Sequence, residues 1–168
     1  VADSYKSLEE ALVHAGIANQ VAVETTYIDA LHTPAEAMGD RLGDCDGVIV
    51  PGGFGERGVE GKLAAITYAR ENKVPFLGIC LGLQLACVEF ARNVLNMTSA
   101  SSREFTHLDV TCVIDLMEGQ KQVQAKGGTM RLGGYPCLVG KGSLAEEAYK
   151  EECVVERHRH RYEFNNKF

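Results

Sequence analysis

The sequence predicts an α/β domain with a mostly parallel sheet, helices on both faces and an antiparallel extension. As far as about residue 98, segments typical of strands alternate with segments typical of helices, which indicates parallel strands joined by helices. The strand segments are apolar throughout, as in strands that are covered on both faces. Beyond residue 98, two strand segments follow one another without a helix between them, and this change indicates the antiparallel extension.

One helix and one strand are predicted within the first 32 residues. Apolar residues recur at helical spacing, at Leu8, Ala11, Leu12 and Ala15. Ser7 and Glu10 have the spacing of a capping box, so the helix begins there or one turn earlier. Gly16 follows as a natural stop. Residues 21–27 alternate and are rich in β-branched side chains, which predicts a strand.

The middle of the chain contains two further strands and three helices. Thr33-Pro34-Ala35-Glu36 has a cap, a proline in the first turn and an acid, which predicts a helix start. Residues 48–50 form a short buried strand, which Pro51-Gly52-Gly53 breaks. A helix over 59–72 and a buried strand over 74–79 come next. The apolar face of the following helix consists of Leu81, Leu85, Val88 and Leu95.

Two strands and a loop are predicted in the last part of the chain. Residues 110–117 and 129–139 have the pattern of strands, and residues 119–128 form a polar loop between them. Because no helix connects these two strands, they are the predicted antiparallel extension of the sheet.

The composition is that of an ordinary globular protein. Lys and Arg number 17 and Asp and Glu number 23, so the formal charge of the 168 residues is 17 − 23 = −6. The acidic balance argues against binding to nucleic acid or to an anionic membrane. No apolar run approaches the roughly 18 residues of a membrane span. Residues 1–5 show neither the basic nor the apolar segment of a signal peptide.

Six cysteines occur along the chain, and none forms a C-x-x-C pair, which argues against a structural zinc site. We expect free thiols in a reducing environment, which indicates a cytoplasmic protein. Most of them are expected to be small buried hydrophobic residues.

The strongest chemical signal is Gly78-Ile79-Cys80-Leu81-Gly82. It follows an apolar strand and opens an amphipathic helix, which is the pattern of a nucleophile elbow with cysteine in place of serine. We expect Cys80 in a strained backbone conformation, with the flanking glycines leaving room for neighbouring backbone. The start of the helix favours a thiolate, and its free N–H groups can hold an oxyanion. The competing interpretation is a buried cysteine in a tight turn.

A second glycine-rich loop, residues 51–58, follows the preceding strand. It contains Gly53-x-Gly55-x-x-Gly58, but the next strand offers no acid for a ribose, so the match to a dinucleotide fingerprint is weak. The spacing of a P-loop is absent. Because the carboxyl ends of parallel strands meet at one edge of the sheet, we expect both glycine loops side by side, forming an oxyanion hole.

The third signal is the basic run of residues 156–163. One interpretation is a solvated basic strand or a localisation patch. The functional interpretation is an anion site, since arginine binds a carboxylate through two hydrogen bonds. His158 or His160 is also a candidate base for Cys80.

These signals together resemble a known enzyme family. The segments that carry the resemblance are Pro51-Gly52-Gly53-Phe54-Gly55, Gly78-Ile79-Cys80-Leu81-Gly82-Leu83-Gln84, Gly128-Thr129-Met130-Arg131-Leu132-Gly133 and Arg157-His158-Arg159-His160-Arg161-Tyr162-Glu163. In this order they resemble the glutaminase domain of CTP synthases, which are class I (triad) glutamine amidotransferases. The last two segments and residues 95–100 are specific to CTP synthases within that class. The resemblance covers essentially the whole chain and implies a flavodoxin-like, doubly wound sheet.

The resemblance implies a catalytic role for Cys80. Its sulfur attacks the side-chain amide of L-glutamine, a glutamyl thioester forms and ammonia is released. Gly53 and Leu81 present backbone N–H groups to the oxyanion, and Gly52 shapes the loop.

The resemblance also implies the residues that bind glutamine. Gln84 and Glu104 hold its polar groups, and the carboxylate of Glu104 suits the α-ammonium. Arg161 lies against the substrate carboxylate, and Phe54 lines the entrance as a gate.

Partners follow from the same resemblance. Ammonia passes to a synthetase domain of the same polypeptide, where ATP phosphorylates UTP and ammonia displaces the phosphate to give CTP. GTP stimulates the glutaminase step. No cofactor or metal is implied in this domain, whereas ATP and Mg²⁺ act in the full-length enzyme.

By comparison with the family pattern, we expect a single domain over residues 1–168 that is incomplete at both ends. The general base of the family is a histidine oriented by a glutamate, in a motif that lies downstream of Phe168. The first apolar strand and the synthetase domain are also absent. Two other functions stay open: an inert glutamine-binding or regulatory module, and an amidotransferase that feeds a different acceptor.

Overall fold

The structure is a computed structural model that describes residues 5–106, 108, 110–116 and 133–168. The predicted loop over 119–128 and most of Gly128-Thr129-Met130-Arg131-Leu132-Gly133 lie outside these residues. The helices are α1 (Lys6–Asn19), α2 (Met38–Leu42, after a 3₁₀ turn over Ala35–Ala37), α3 (Val59–Glu71), α4 (Leu81–Asn93) and α5 (Leu144–Tyr149). The strands are β1 (Val48–Val50), β2 (Phe76–Gly78), β3 (Ser101–Ser102), β4 (Cys112–Leu116), β5 (Gly133–Leu138), β6 (Cys153–His158) and β7 (Tyr162–Phe164).

Strands in the described part of the chain pair in three groups. β1 and β2 are parallel, with Val48 opposite Phe76 and Val50 opposite Gly78. β4 pairs in parallel with β3 and antiparallel with β7. β5 and β6 form an antiparallel pair. The predicted combination of parallel strands, helices and antiparallel strands is therefore confirmed.

The core lies where α3 and α4 pack against each other and against β1 and β2. Leu81 and Leu85 on α4 are fully buried, and Val50 on β1 and Ile66 on α3 are nearly so. Apolar side chains of β4 pack against α4 and extend this core. The core therefore fixes the two helices that follow the predicted glycine loop and the predicted elbow.

The strand predicted over residues 21–27 is wrong. These residues have no strand conformation, and the side chains of Val21 and Val23 are about half exposed. The segment is held on α1 instead, because the Val21 N–H donates to the carbonyl of Gly16 and the Tyr27 hydroxyl donates to Glu9. Gly16 does not stop α1, which continues to Asn19 and ends where Gln20 takes a left-handed conformation.

Two helix boundaries also differ from the prediction. No side-chain capping bond starts the helical turn after Pro34, so Thr33 is not its cap. Leu95 lies beyond the end of α4 and its side chain is 56 % exposed, so it does not belong to the apolar face of that helix. The helix over 59–72 and the strands over 48–50 and 74–79 are confirmed to within two residues.

Both strands predicted for the antiparallel extension have antiparallel partners later in the chain. Residues 133–138 pair with 153–158, and residues 114–116 pair with 162–164. Helix α5 was not predicted from the sequence. The sequence contains a signal for this helix, since Ser143 is a favoured N-cap residue. In the structure its hydroxyl accepts a hydrogen bond from the Glu146 N–H.

Cysteine chemistry agrees only partly with expectation. Among the described residues, none of the six cysteines forms a disulfide bond. Only Cys112 is buried, whereas Cys137 and Cys153 are exposed and the other three are intermediate, so the expectation of mostly buried cysteines is wrong. In the residues that the structure describes, no helix has the length and apolar character needed to cross a membrane.

A buried ion pair joins α3 to α4. Glu89 on α4 is 2 % exposed and accepts hydrogen bonds from Arg70 and Thr67 of α3 and from Asn93. Burial alone would raise the pKa of Glu89, but these hydrogen bonds and the charge of Arg70 outweigh it, so the pKa is lowered. The resulting stabilisation is present at neutral pH and is lost as the pH falls through the lowered pKa.

Replacing Arg70 with methionine is expected to lower the free energy of unfolding by about 2 kcal/mol, because Glu89 then stays buried without its cation. Chemical denaturation of the complete natural polypeptide measures this loss. The control is Glu71→Gln, which removes the exposed second partner of the same arginine and is expected to cost less than about 0.5 kcal/mol. Equal losses in both variants would contradict a special role of the buried pair.

Candidate active site

Cys80 occupies the turn between β2 and α4. Its backbone angles are φ 55° and ψ −109°, a conformation that L residues rarely adopt. The Gly82 N–H donates to the carbonyl of Ile79 at 2.9 Å, and the Gln84 N–H donates to the carbonyl of Cys80 at 3.1 Å. The side chain of Cys80 is partly exposed. The elbow geometry predicted from the sequence is therefore present, with a strained and accessible cysteine at its tip.

The two glycines of the elbow are required by close packing of backbone. A Cβ on Gly78 would lie 2.6 Å from the nitrogen of Leu83. A Cβ on Gly82 would lie 2.0 Å from the carbonyl oxygen of Val50. Neither clash can be relieved by rotating a side chain, since both partners are main-chain atoms. The first turn of α4 therefore rests directly on β1.

The glycine loop after β1 lies against the elbow, as predicted. A Cβ on Gly52 would be 3.3 Å from the Cβ of Cys80 and 3.7 Å from its sulfur. A Cβ on Gly53 would be 3.3 Å from the side chain of Leu81. Gly55 and Gly58 have positive φ angles, which let the loop turn back into α3. The loop therefore brings bare backbone to the immediate vicinity of the Cys80 side chain.

Glu104 contacts the same glycine loop from the segment that follows β3. Its Oε1 accepts a hydrogen bond from the Gly55 N–H at 2.8 Å. Phe54, the residue before, is 73 % exposed at the tip of the loop. The structure thus places two of the predicted substrate-binding residues, Phe54 and Glu104, at one loop. Glu104 and Gly55, which the hydrogen bond joins, are 49 positions apart in the chain.

Gln84 connects the elbow to the basic run. Its side-chain nitrogen donates to the backbone carbonyl of Tyr162 at 3.0 Å, which holds the start of β7 beside the first turn of α4. The neighbouring Arg161 has a buried Nε with no hydrogen-bond partner in the part of the chain that the structure describes. An unsatisfied buried guanidinium nitrogen is costly and is typical of a group that binds a ligand. The side chain of His158 lies outside the described residues, and its role as a base stays a prediction.

Lys62, on the first turn of α3, is a residue that the sequence did not single out. Its Nζ lies 3.8 Å from the position that a Cβ on Gly53 would occupy. Burial lowers the pKa of this lysine. Nothing in the sequence pattern indicates that a single lysine on a helix lies beside a glycine loop. Among the described residues, no group of three or more His, Cys, Asp or Glu side chains is placed to hold a metal ion.

Comparison with known families agrees with this arrangement. The family model "Glutamine amidotransferase class-I" matches residues 1–168. The chain belongs to this family. The relatives include the CTP synthase of Geobacter metallireducens, which is 58 % identical over 166 residues, and that of Bacillus thuringiensis, which is 56 % identical over 166 residues. Both matches cover 99 % of this chain but only 31 % of the relative.

A solved structure confirms the predicted fold class. The Trypanosoma brucei CTPS glutaminase domain with bound acivicin superimposes with a TM-score of 0.86 at 40 % sequence identity. The match covers 98 % of this chain and 64 % of that one. The chain therefore has the fold of a class I amidotransferase and spans about a third of the length of the curated relatives that it matches.

Proposed function

We propose that this domain hydrolyses L-glutamine to glutamate and ammonia through a thioester on Cys80. The observation that carries the proposal is the strained Cys80 elbow packed against a glycine loop, where a Cβ on Gly52 would lie 3.7 Å from the Cys80 sulfur. Membership of the class I amidotransferase family supports the same chemistry. A nucleophile beside bare backbone N–H groups is the arrangement that acyl transfer needs.

In this proposal the carbonyl carbon of the glutamine side chain bonds to the sulfur of Cys80. The backbone N–H groups of Gly53 and Leu81 stabilise the oxygen anion of the tetrahedral intermediate. The proton of the Cys80 thiol is transferred to the leaving nitrogen, the C–N bond breaks and ammonia leaves. Water attacks the thioester, which releases glutamate and frees Cys80 for another turn. The glycines at 52 and 53 allow the loop backbone to approach the reacting carbon closely.

Four further residues bind and orient glutamine in this proposal. Arg161 binds the α-carboxylate, since its buried Nε needs an anionic partner. Glu104 binds the α-ammonium while it also holds the glycine loop through Gly55. Gln84 fixes the segment that carries Arg161, and Phe54 covers the entrance from the exposed tip of the loop.

We further propose that the ammonia serves a synthetase domain of the same polypeptide, which aminates UTP to CTP with ATP and Mg²⁺, stimulated by GTP. The similarity to two CTP synthases over nearly the whole chain supports this acceptor over others. A cytoplasmic location fits a pathway that uses nucleoside triphosphates. The nucleotides and the metal ion belong to the full-length enzyme in this proposal, and the domain itself needs no cofactor.

Covalent labelling with an electrophilic glutamine analogue tests the proposed function. We expect one adduct on Cys80, located by peptide mapping, and we expect excess glutamine to suppress it. The exposed Cys137 and Cys153 serve as internal controls, because glutamine should not alter their slow background reaction. Labelling scattered over several cysteines without protection would reject a working glutaminase site. Protection without ammonia release would instead indicate an inert glutamine-binding module.

Replacing Arg161 with alanine is expected to raise the KM for glutamine by about a hundredfold, because a charged hydrogen-bonded contact contributes roughly 3 kcal/mol. Steady-state ammonia release measures the change. Arg159→Ala is the matched control in the same basic run, since Arg159 is exposed. An unchanged KM in Arg161→Ala would remove Arg161 from the carboxylate-binding role.

A further inference from the structure

The side chain of Lys62 runs from the first turn of α3 to the glycine loop. Its Nζ is 3.8 Å from the place where a Cβ on Gly53 would sit, and the same point is 3.3 Å from the side chain of Leu81. The ammonium therefore lies beside the two residues whose N–H groups form the proposed oxyanion hole. The catalytic and glutamine-binding roles proposed above do not use it.

The position is electrostatically unfavourable for a cation. Lys62 is partly buried, and the described residues offer it no carboxylate partner within ion-pair distance. It is also the fourth residue of α3, where the N-terminal end of the helix dipole repels positive charge. A partly desolvated, unpaired cation costs stability. Such a cost is compensated when a negative charge arises nearby during the reaction.

We propose that Lys62 stabilises the oxyanion of the Cys80 tetrahedral intermediate through space, across the Gly53 backbone. The proposal rests on the proposed glutaminase function. When the S–C bond forms, the carbonyl electron pair moves onto oxygen, and this charge disappears again when the C–N bond breaks. Lys62 stays protonated throughout and transfers no proton. Because the amide of bound glutamine is neutral, the attraction is present mainly in the transition state, which is the condition for a rate effect.

Turnover by Lys62→Met and Lys62→Arg in the complete natural polypeptide tests the proposal. Lys62→Met is expected to lower kcat for glutamine hydrolysis about tenfold, or 1.4 kcal/mol, without changing KM. Lys62→Arg keeps the charge and is expected to keep most of the activity. The thermal unfolding midpoint of Lys62→Met should stay the same or rise, because an uncompensated charge has been removed.

A second readout separates an effect on the intermediate from a structural effect. The γ-aldehyde analogue of glutamine forms a tetrahedral adduct with a cysteine thiol and so imitates the intermediate. Lys62→Met should weaken inhibition by this analogue about tenfold. In a Cys80→Ala background, Lys62→Met should leave the affinity for glutamine itself unchanged. A loss of affinity for both ligands, or a lower unfolding midpoint, would overturn the proposal in favour of a structural role.

Lys73→Met is the matched control, because Lys73 is exposed beyond the other end of α3. It is expected to leave kcat, KM and inhibition by the aldehyde unchanged. Normal turnover by Lys62→Met, or a change confined to KM, would overturn the proposed role of Lys62 but not the proposed function. Absence of ammonia release by the unsubstituted protein would overturn both this proposal and the proposed function.

Discussion

Alanine in place of Cys80 is expected to abolish glutamine hydrolysis, with a loss of at least about 10⁴-fold in kcat. The substitution removes the sulfur that forms the thioester and adds no bulk to the contact with Gly52. Both residues have a Cβ, so the strained backbone at φ 55° is equally costly before and after the change. The fold should therefore be retained. Ammonia release and the unfolding midpoint are the two measurements.

Cys87 provides the matched control for this variant. It lies on the same helix, α4, and burial raises the pKa of its thiol, so it stays protonated and unreactive at neutral pH. Cys87→Ala is expected to keep near-normal turnover. Free ammonia supplied to the full-length enzyme should bypass the Cys80 lesion and restore synthesis. Ammonia release at the normal rate by Cys80→Ala would show that another group is the nucleophile.

The centre of the fold was predictable because its signals are local. The strands at 48–50 and 76–78, the helices that follow them and the two glycine loops each have a sequence pattern of their own. Parallel strands place their carboxyl ends at one edge, so the meeting of the glycine loop and the elbow also followed from topology.

Pairing and partner choice were less predictable. Residues 21–27 have the alternation of a strand, yet a strand forms only beside a partner, and the segment instead bonds back to α1. Residues 133–138 pair with a strand about twenty positions away, on the other side of α5 in the sequence. No local pattern predicts this pairing. Alternation fixes which face a residue takes and leaves the neighbouring strand undetermined.

The residues of the candidate site also differ in whether a local sequence pattern predicts them. Cys80 was predictable from its own segment, whereas Glu104 and Arg161 entered through the family resemblance. In the structure the Glu104 carboxylate accepts from the Gly55 N–H, and Gln84 donates to the Tyr162 carbonyl next to Arg161. Lys62 had neither a local pattern nor a motif. Its position became visible only where α3 packs beside the glycine loop.

Alanine in place of Gly82 is expected to be the most damaging change that leaves every reacting group in place. Its Cβ would lie 2.0 Å from the carbonyl oxygen of Val50, so the start of α4 must move away from β1. We expect a loss of about 4 kcal/mol in the free energy of unfolding, at the upper end of what overpacking costs. Because the Leu81 N–H moves with α4, turnover by the molecules that remain folded should also fall. Denaturation and active-site titration measure the two effects.

Two other glycines separate the general cost of a clash from its effect on the elbow. Gly61→Ala creates an equally close contact, 2.0 Å from the oxygen of Ala30, but on α3 and not on the helix that carries the Leu81 N–H. It should destabilise the protein while each folded molecule keeps more of its turnover than in Gly82→Ala. Gly140→Ala meets only the Ser143 hydroxyl at 3.9 Å and should be close to neutral. If Gly82→Ala and Gly61→Ala lost turnover equally per folded molecule, the placement of α4 on β1 would matter for stability alone. A larger loss in Gly82→Ala would show that the packing of one glycine sets the position of an oxyanion donor.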